Sequence, residues 1–185
     1  ETKLIGEWMM ADAEKAWGLR WAGLRYFNVA GAGWDDLGDM ATLNLIPMVL
    51  DRLSKGETPK IFGTDYPTPD GTCVRDYIHV KDLAGAHIAA LDYLAGGQDM
   101  AEHIFNVGTG QGASVREVVS KVIASTGLDL EPEELARRAG DPPQLIGNAT
   151  RIGEVLGWKA EHDLDDIVTS SYTSWQADPN RPHFG

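Results

Sequence analysis

Two arginines supply the first chemical suggestion in this 185-residue chain. Arg75, followed by Asp76 and Tyr77, stands where a loop shaped by Pro67, Pro69 and Gly71 enters an apolar stretch. Arg138 stands in Arg137-Arg138-Ala139-Gly140-Asp141, closed by Pro142 and Pro143. A guanidinium offers two parallel donors to a phosphate and keeps its charge at any relevant pH. The chain as a whole carries −12, but a contact pair at 4 Å gains about 4 kcal/mol at an effective dielectric near 20. Acids beyond roughly 8 Å are screened at physiological salt, so local arginines prevail over net charge. The competing reading pairs each arginine with a nearby acid, Asp76 or Asp141, and the residues alone leave the two level.

Other candidates are weaker. Gly108-Thr109-Gly110-Gln111-Gly112-Ala113 follows an apolar run and precedes a helix pattern, so it matches the dinucleotide fingerprint G-x-G-x-x-A, with Asp129 near the place of the ribose-binding acid. The unit needs a second strand ending in that acid, and Leu128-Asp129-Leu130 is short and runs into Pro132, so a tight strand-to-helix turn is preferred. Asn28 and Asn44 could aim amides at a ligand, and Asn44 ahead of Pro47 also suits a helix cap. His79 and His87 lack partners at metal-ligand spacing, so no metal site is expected. Cys73 has no activating base near it in sequence.

These groups need elements to hold them. Leu4, Ile5, Trp8 and Met9 predict an amphipathic helix over Glu1 to Trp17, already under way at its first residue, which suggests a fragment. Leu24 to Val29 predicts one buried strand, closed by the turn Gly31-Ala32-Gly33. Ile46 to Lys55 predicts a helix stopped by Gly56, and Lys60 to Phe62 a short strand. Tyr77 to Val80 predicts a strand, with Asp82 capping a helix to about Leu94. Ile104 to Val107 predicts another strand, and Ser114 with Glu117 a capping box for a helix ending at Gly127. Arg151 to Leu156 and Leu164 to Gln176 read as helices, and Pro179 to Pro182 as a fraying tail. Helices alternating with apolar strands imply an α/β fold with a parallel sheet. So few strong strands would leave open sheet edges, a second sign that upstream strands are missing.

Composition narrows the class. With 43% hydrophobic, 24% charged and 8% aromatic residues the chain can build a core. The acidic balance excludes a basic nucleic-acid binder and argues against anionic membranes. A single cysteine excludes internal disulfides and makes the cytoplasm the default. The longest apolar stretch, Leu43 to Leu50, contains Asn44 and Pro47, so no bilayer span is expected.

Several segments together resemble the UDP-glucose 4-epimerases of the extended short-chain dehydrogenase/reductase family. They are Thr2-Lys3-Leu4, Leu24 to Ala32, Asn44 to Pro47, Ile61 to Thr72, Val74 to Leu83, Phe105 to Gly110, and Leu156-Gly157-Trp158. The run Asp65 to Val80 is the most specific. The resemblance runs the whole chain and covers the C-terminal half, or slightly more, of a family member. It implies the C-terminal portion of a Rossmann-type parallel sheet plus a smaller α/β nucleotide-sugar-binding domain, with residues 1–30 and 76–126 in the first and 31–75 and 127–185 in the second. It implies NAD as cofactor, a UDP-sugar substrate, a homodimer, and C4 epimerisation between UDP-galactose and UDP-glucose through a transient 4-keto sugar. Lys3 falls on the lysine of the family's Y-x-x-x-K pair, where it holds the nicotinamide ribose and lowers the pKa of a tyrosine base four residues upstream. Phe27 would line the nicotinamide, and Asn28 the diphosphate side of the substrate. Asn44 and Leu45 would contact the nucleotide-sugar, Lys60, Ile61 and Phe62 the uracil end, and Arg75 and Arg138 the diphosphate, with Tyr77 and Asp141 completing the shell. On this reading the arginines are functional, and the 185 residues alone are inactive. Val29 stands where the family often has proline, the loop 33–42 departs from its commonest pattern, and Leu145 falls near a sugar-pocket position. Alternatives are a sibling epimerase or 4,6-dehydratase, or a non-catalytic nucleotide-sugar binding module.

Overall fold

The computed structural model describes residues 2–39, 41–97, 100–182 and 184; Glu1, where the sequence starts its first helix, lies outside them. Helix α1 (Thr2–Trp17) leads into β1 (Gly23–Tyr26) and β2 (Asn28–Ala30), followed by α2 (Leu45–Ser54) and β3 (Lys60–Phe62). Next come β4 (Val74–Arg75), β5 (Tyr77–His79), α3 (Val80–Ala95), β6 (Ile104–Val107), β7 (Ala113–Ser114) and α4 (Val115–Thr126). The chain closes with β8 (Glu133–Leu135), β9 (Gln144–Leu145), α5 (Thr150–Leu156) and α6 (Leu164–Ala177).

The main pairings are parallel, as the alternation of helix and strand requires: β1 with β6, β2 with β5 and β3 with β8. Strand β4 lies between β7, antiparallel, and β9, parallel. The single strand predicted over Leu24 to Val29 is two strands, because the chain changes partner at Phe27 from β6 to β5. Two cores flank β5. Tyr77 joins Val49, Leu50, Val118, Val119 and Trp175 between α2, α4 and α6, whereas Ile78 turns to Ala86, Phe105, Val107 and Ile152. The two-residue period of a strand thus sends neighbouring side chains into different cores.

Local expectations fared unevenly. The Ser114 hydroxyl accepts from the Glu117 amide, and Gly127 (φ 73°) ends α4 in a left-handed turn. Helix α3 begins earlier than expected: His79 is its cap, accepting from the Lys81 amide, and Asp82 falls in the first turn. Asn44 occupies the cap position of α2, but its side chain donates to Asp39 at 2.7 Å rather than capping. Strand β8, in a stretch too acidic to read as sheet, forms because β3 offers it a parallel edge. The expected fraying tail is tied down: Trp175 Nε1 donates to the Pro182 carbonyl at 3.2 Å, and the Arg181 guanidinium lies 4.3 Å from the centre of the Trp175 ring.

Candidate functional site

The two arginine loops meet. Strand β4 carries Arg75 and pairs with β9, just beyond the loop that carries Arg138 and Asp141. The result is a cavity of about 320 Å³ that Arg75 and Arg138 line together with Asn28, Leu45, Lys60, Phe62, Tyr77 and Asp141. Arg75 is held on three sides: Nη1 donates to the Val74 and Pro142 carbonyls, both at 2.9 Å, and Nη2 lies 3.6 Å from Asp141. Arg138 is exposed, with its guanidinium carbon 3.9 Å from the centre of the Phe62 ring. The neighbouring Arg137 is occupied with Asp65 at 2.7 Å and with the Tyr66 ring. The acid pairing weighed for Arg75 therefore exists, at 3.6 Å to an exposed Asp141. A phosphate with two charged acceptors outcompetes that.

Tyr77 sits on the cavity wall with its hydroxyl pKa pushed up to about 12, chiefly by burial, against the opposing pull of an Asn28 hydrogen bond and the Arg75 charge. At neutral pH it is a neutral hydroxyl and no base. A second cavity of about 440 Å³ adjoins the first through the shared walls Asn28, Leu43, Leu45 and Tyr77, and adds Phe27, Asn44 and Asp39. The site residues named from sequence thus divide. Asn28, Leu45, Lys60, Phe62, Arg75, Tyr77, Arg138 and Asp141 share one cavity, and Phe27 and Asn44 line the next. Ile61 does neither: its side chain is fully buried among Val49, Val118 and their neighbours, because the alternation of β3 turns it opposite to Lys60 and Phe62. Sequence reasoning missed Met48, Val49 and Arg52, which line the first cavity with Leu45. Their spacing from Leu45, three, four and seven residues, marks one helix face and was a readable signal.

Lys3 lines neither cavity, yet its place in the fold is defined. Helix α1 runs antiparallel to β1: Trp21, just before the strand, donates to Glu14, whereas Arg25, near the strand's end, donates to Glu7 at 2.7 Å. One turn before Glu7, Lys3 lies at the carboxyl end of β1, where Phe27 follows. That is the side on which open parallel sheets bind ligands. The Phe27 ring is wedged against Gly108 and Gly147, where an added Cβ would strike it. A flat aromatic wall and an ammonium at one sheet end fit the nicotinamide and ribose end of a dinucleotide.

The glycine turn cannot serve the same ligand's phosphates. Its amides are already engaged: the buried Asp76 carboxylate accepts from Thr109 N at 2.9 Å, Thr109 Oγ1 at 2.8 Å and Gly110 N at 3.1 Å. A built-in anion fills the turn and would repel a phosphate. Asp129 is exposed and stands in the loop between α4 and β8, not at the end of a strand that would place it beside a ribose. Among the described residues no cluster of His, Cys, Asp and Glu could hold a metal ion, and no helix is long and apolar enough to cross a membrane.

The chain is similar to known proteins in both sequence and fold. The chain is 48% identical over 179 residues to a UDP-glucose 4-epimerase of Azospirillum brasilense, covering 95% of this chain and 51% of that protein. Its fold is similar to a Brucella ovis UDP-glucose 4-epimerase solved in complex with NAD, at TM-score 0.84 and 42% identity over 92% of this chain and 53% of that one. It is also similar to the Bifidobacterium longum enzyme solved with NAD+ and UDP, at TM-score 0.81 and 37% identity over 96% of this chain and 54% of that one. The chain therefore spans about half the length of the curated relatives it matches. A family model described as the NAD dependent epimerase/dehydratase family matches residues 1–108, from α1 with Lys3 through Arg75 to the first residue of the glycine turn, and the chain belongs to that family.

Proposed function

We propose that this chain supplies the substrate side of an NAD-dependent enzyme that epimerises C4 of UDP-galactose and UDP-glucose. The observation that carries the reading is the convergence of Arg75 and Arg138 on one cavity of about 320 Å³. Two guanidiniums bind the diphosphate, and Asp141 takes a ribose hydroxyl while orienting Arg75. Lys60 and Phe62 hold the uracil end, and Asn28, Asn44, Leu45 and Tyr77 form the remaining wall. Anchoring at the nucleotide leaves the sugar free to present either face, as inversion at C4 through a common intermediate demands. Residues 31–75 and 127–185 form this nucleotide-sugar part, and residues 1–30 and 76–126 the sheet part beside the cofactor.

Bound NAD would supply reversible hydride acceptance. Lys3 would hold its ribose, and Phe27 would back its nicotinamide. The buried Tyr77 is a neutral hydroxyl at neutral pH and leaves proton removal to another group. The family resemblance supports a homodimer, and the exposed apolar side chains Leu4, Ile5, Trp8 and Met9 of α1 give such an assembly a surface. One free cysteine, buried, suits a cytoplasmic protein.

Assay of the complete enzyme containing this chain, with UDP-galactose and NAD, tests the reading. Formation of UDP-glucose is expected. Release of a free 4-keto sugar, or turnover of neither UDP-galactose nor UDP-glucose, would overturn it. These 185 residues alone are expected to show no turnover and to retain no NAD after gel filtration.

A further inference from the structure

We infer that Asp76 is the positioning residue of the nucleotide-sugar site, acting from outside the cavity through two loops that meet on its carboxylate; the inference rests on the function proposed above. Asp76 is fully buried and lines neither of the two site cavities. Its four hydrogen bonds come from Thr109 N, Thr109 Oγ1, Gly110 N and, across the molecule, Gly147 N at 3.1 Å. An ionised carboxylate buried without solvent is tolerated only when such donors converge, and each donor is in turn held where the charge is. The carboxylate therefore clamps the β6–β7 turn to the loop between β9 and α5.

What these two loops touch is the ligand wall. Gly108 and Gly147 both lie against the Phe27 ring, where an added Cβ would strike it, and an added Cβ at Gly108 would also lie 2.6 Å from Asp76 Oδ2. The backbone of Asp76 completes the clamp. Its carbonyl accepts from the Asn28 amide at 3.0 Å, and its amide donates to the Leu145 carbonyl at 3.1 Å. Chain continuity adds Arg75 on one side and Tyr77 on the other, both facing the cavity. One residue thus fixes Phe27, Asn28, Arg75 and Tyr77 relative to each other. Displacement of such walls by about an ångström is enough to lower affinity and rate by large factors.

The test uses the 185-residue chain, UDP as probe, and the substitutions Asp76→Asn, Thr109→Val and Thr109→Ser. Thr109 lies outside both site cavities, and its hydroxyl joins the Asp76 carboxylate to Gln111 within the turn, bonds that serine can keep and valine cannot. Titrations run where near-ultraviolet circular dichroism shows each variant folded. UDP affinity is expected to fall about tenfold in Asp76→Asn and about threefold in Thr109→Val, and to return in Thr109→Ser, because the lost hydrogen bonds loosen the wall. A merely structural role would lower the melting temperature and leave the affinity of folded protein unchanged, which would overturn the inference. If Asp76→Asn does not fold, the Thr109 pair decides alone. If the unaltered chain binds no UDP, the nucleotide reading fails, and amide hydrogen exchange decides the clamp. In Thr109→Val the Asn28 and Gly147 amides are then expected to exchange about tenfold faster while Phe105 and Val107 are unchanged; equal rates would overturn it.

Discussion

The turn at Gly108 to Gly110 and the cavity between Arg75 and Arg138 are both arrays of donors suited to an anion, and they differ in where the anion comes from. In the turn, Asp76 supplies it from within the chain, and the donors are satisfied on folding. In the cavity, Asp141 engages only Arg75, at 3.6 Å, while Arg138 rests on the Phe62 ring. The difference teaches that donor geometry alone does not mark a phosphate site. What marks it is positive charge that the fold leaves uncompensated inside a concave wall.

Replacing the guanidiniums is expected to break the comparison most strongly. Arg75→Met and Arg138→Met should each weaken UDP binding by about 10- to 100-fold, the loss of charge-assisted hydrogen bonds worth about 1.5–3 kcal/mol. Uridine binding should hardly change, and calorimetric titration with both ligands checks this. An equal loss for uridine would mean that the arginines support the wall instead of the diphosphate.

Acidification is expected to act at a smaller scale and away from both anion sites. His79 is buried, and burial with the adjacent His162 holds its pKa below the ordinary 6.5. Its Nδ1 accepts from the Lys81 amide, and its Nε2 meets the Ser170 hydroxyl at 3.0 Å. That hydroxyl gives its proton to the Asp166 carbonyl, so His79 is neutral with the proton on Nε2. The unfolded chain takes up a proton more readily than the folded one. This contribution to stability is therefore complete above about pH 6.5 and lost as pH falls through the lower folded value. The melting temperature should drop on acidification below pH 6.5, and His79→Gln should flatten that part of the profile. An unchanged profile in the variant would assign the drop to carboxylates.

The smallest effect is expected at Gly110, whose φ of 72° a side chain resists although an added Cβ would meet only the Gly147 carbonyl, at an ordinary contact distance of 3.7 Å. Gly110→Ala should cost about 1 kcal/mol, near 2–4 °C in melting temperature for a chain of this size. UDP affinity should stay the same, because alanine keeps the backbone amide that donates to Asp76. A thermal melt beside a UDP titration checks both.

Much of this was legible before any coordinates, for identifiable reasons. Four-residue apolar runs such as Ile104 to Val107, and cap signals such as Ser114 with Glu117, encode their elements locally. The two arginines were legible as chemistry because Pro and Gly shape the loops beside them. The break at Phe27 was not legible, since it depends on which strand each half pairs with. Nor was the inward turn of Ile61, which depends on the register of β3 and β8. The two-residue strands β4, β7 and β9, which bring Arg75 to the Arg138 loop, carry no pattern of their own and exist only through one another. Asp76 looked like a partner for Arg75, whereas its partners lie 33 and 71 residues away.

The central claim is that the two guanidiniums share one diphosphate, and comparing UDP with UMP on the same 185-residue chain by calorimetric titration tests it most directly. UDP is expected to bind about tenfold or more tightly, equivalent to about 1.4 kcal/mol, with the excess abolished in the Arg75→Met, Arg138→Met double variant. Equal affinity for the two nucleotides, or an excess that survives loss of both arginines, would contradict the account.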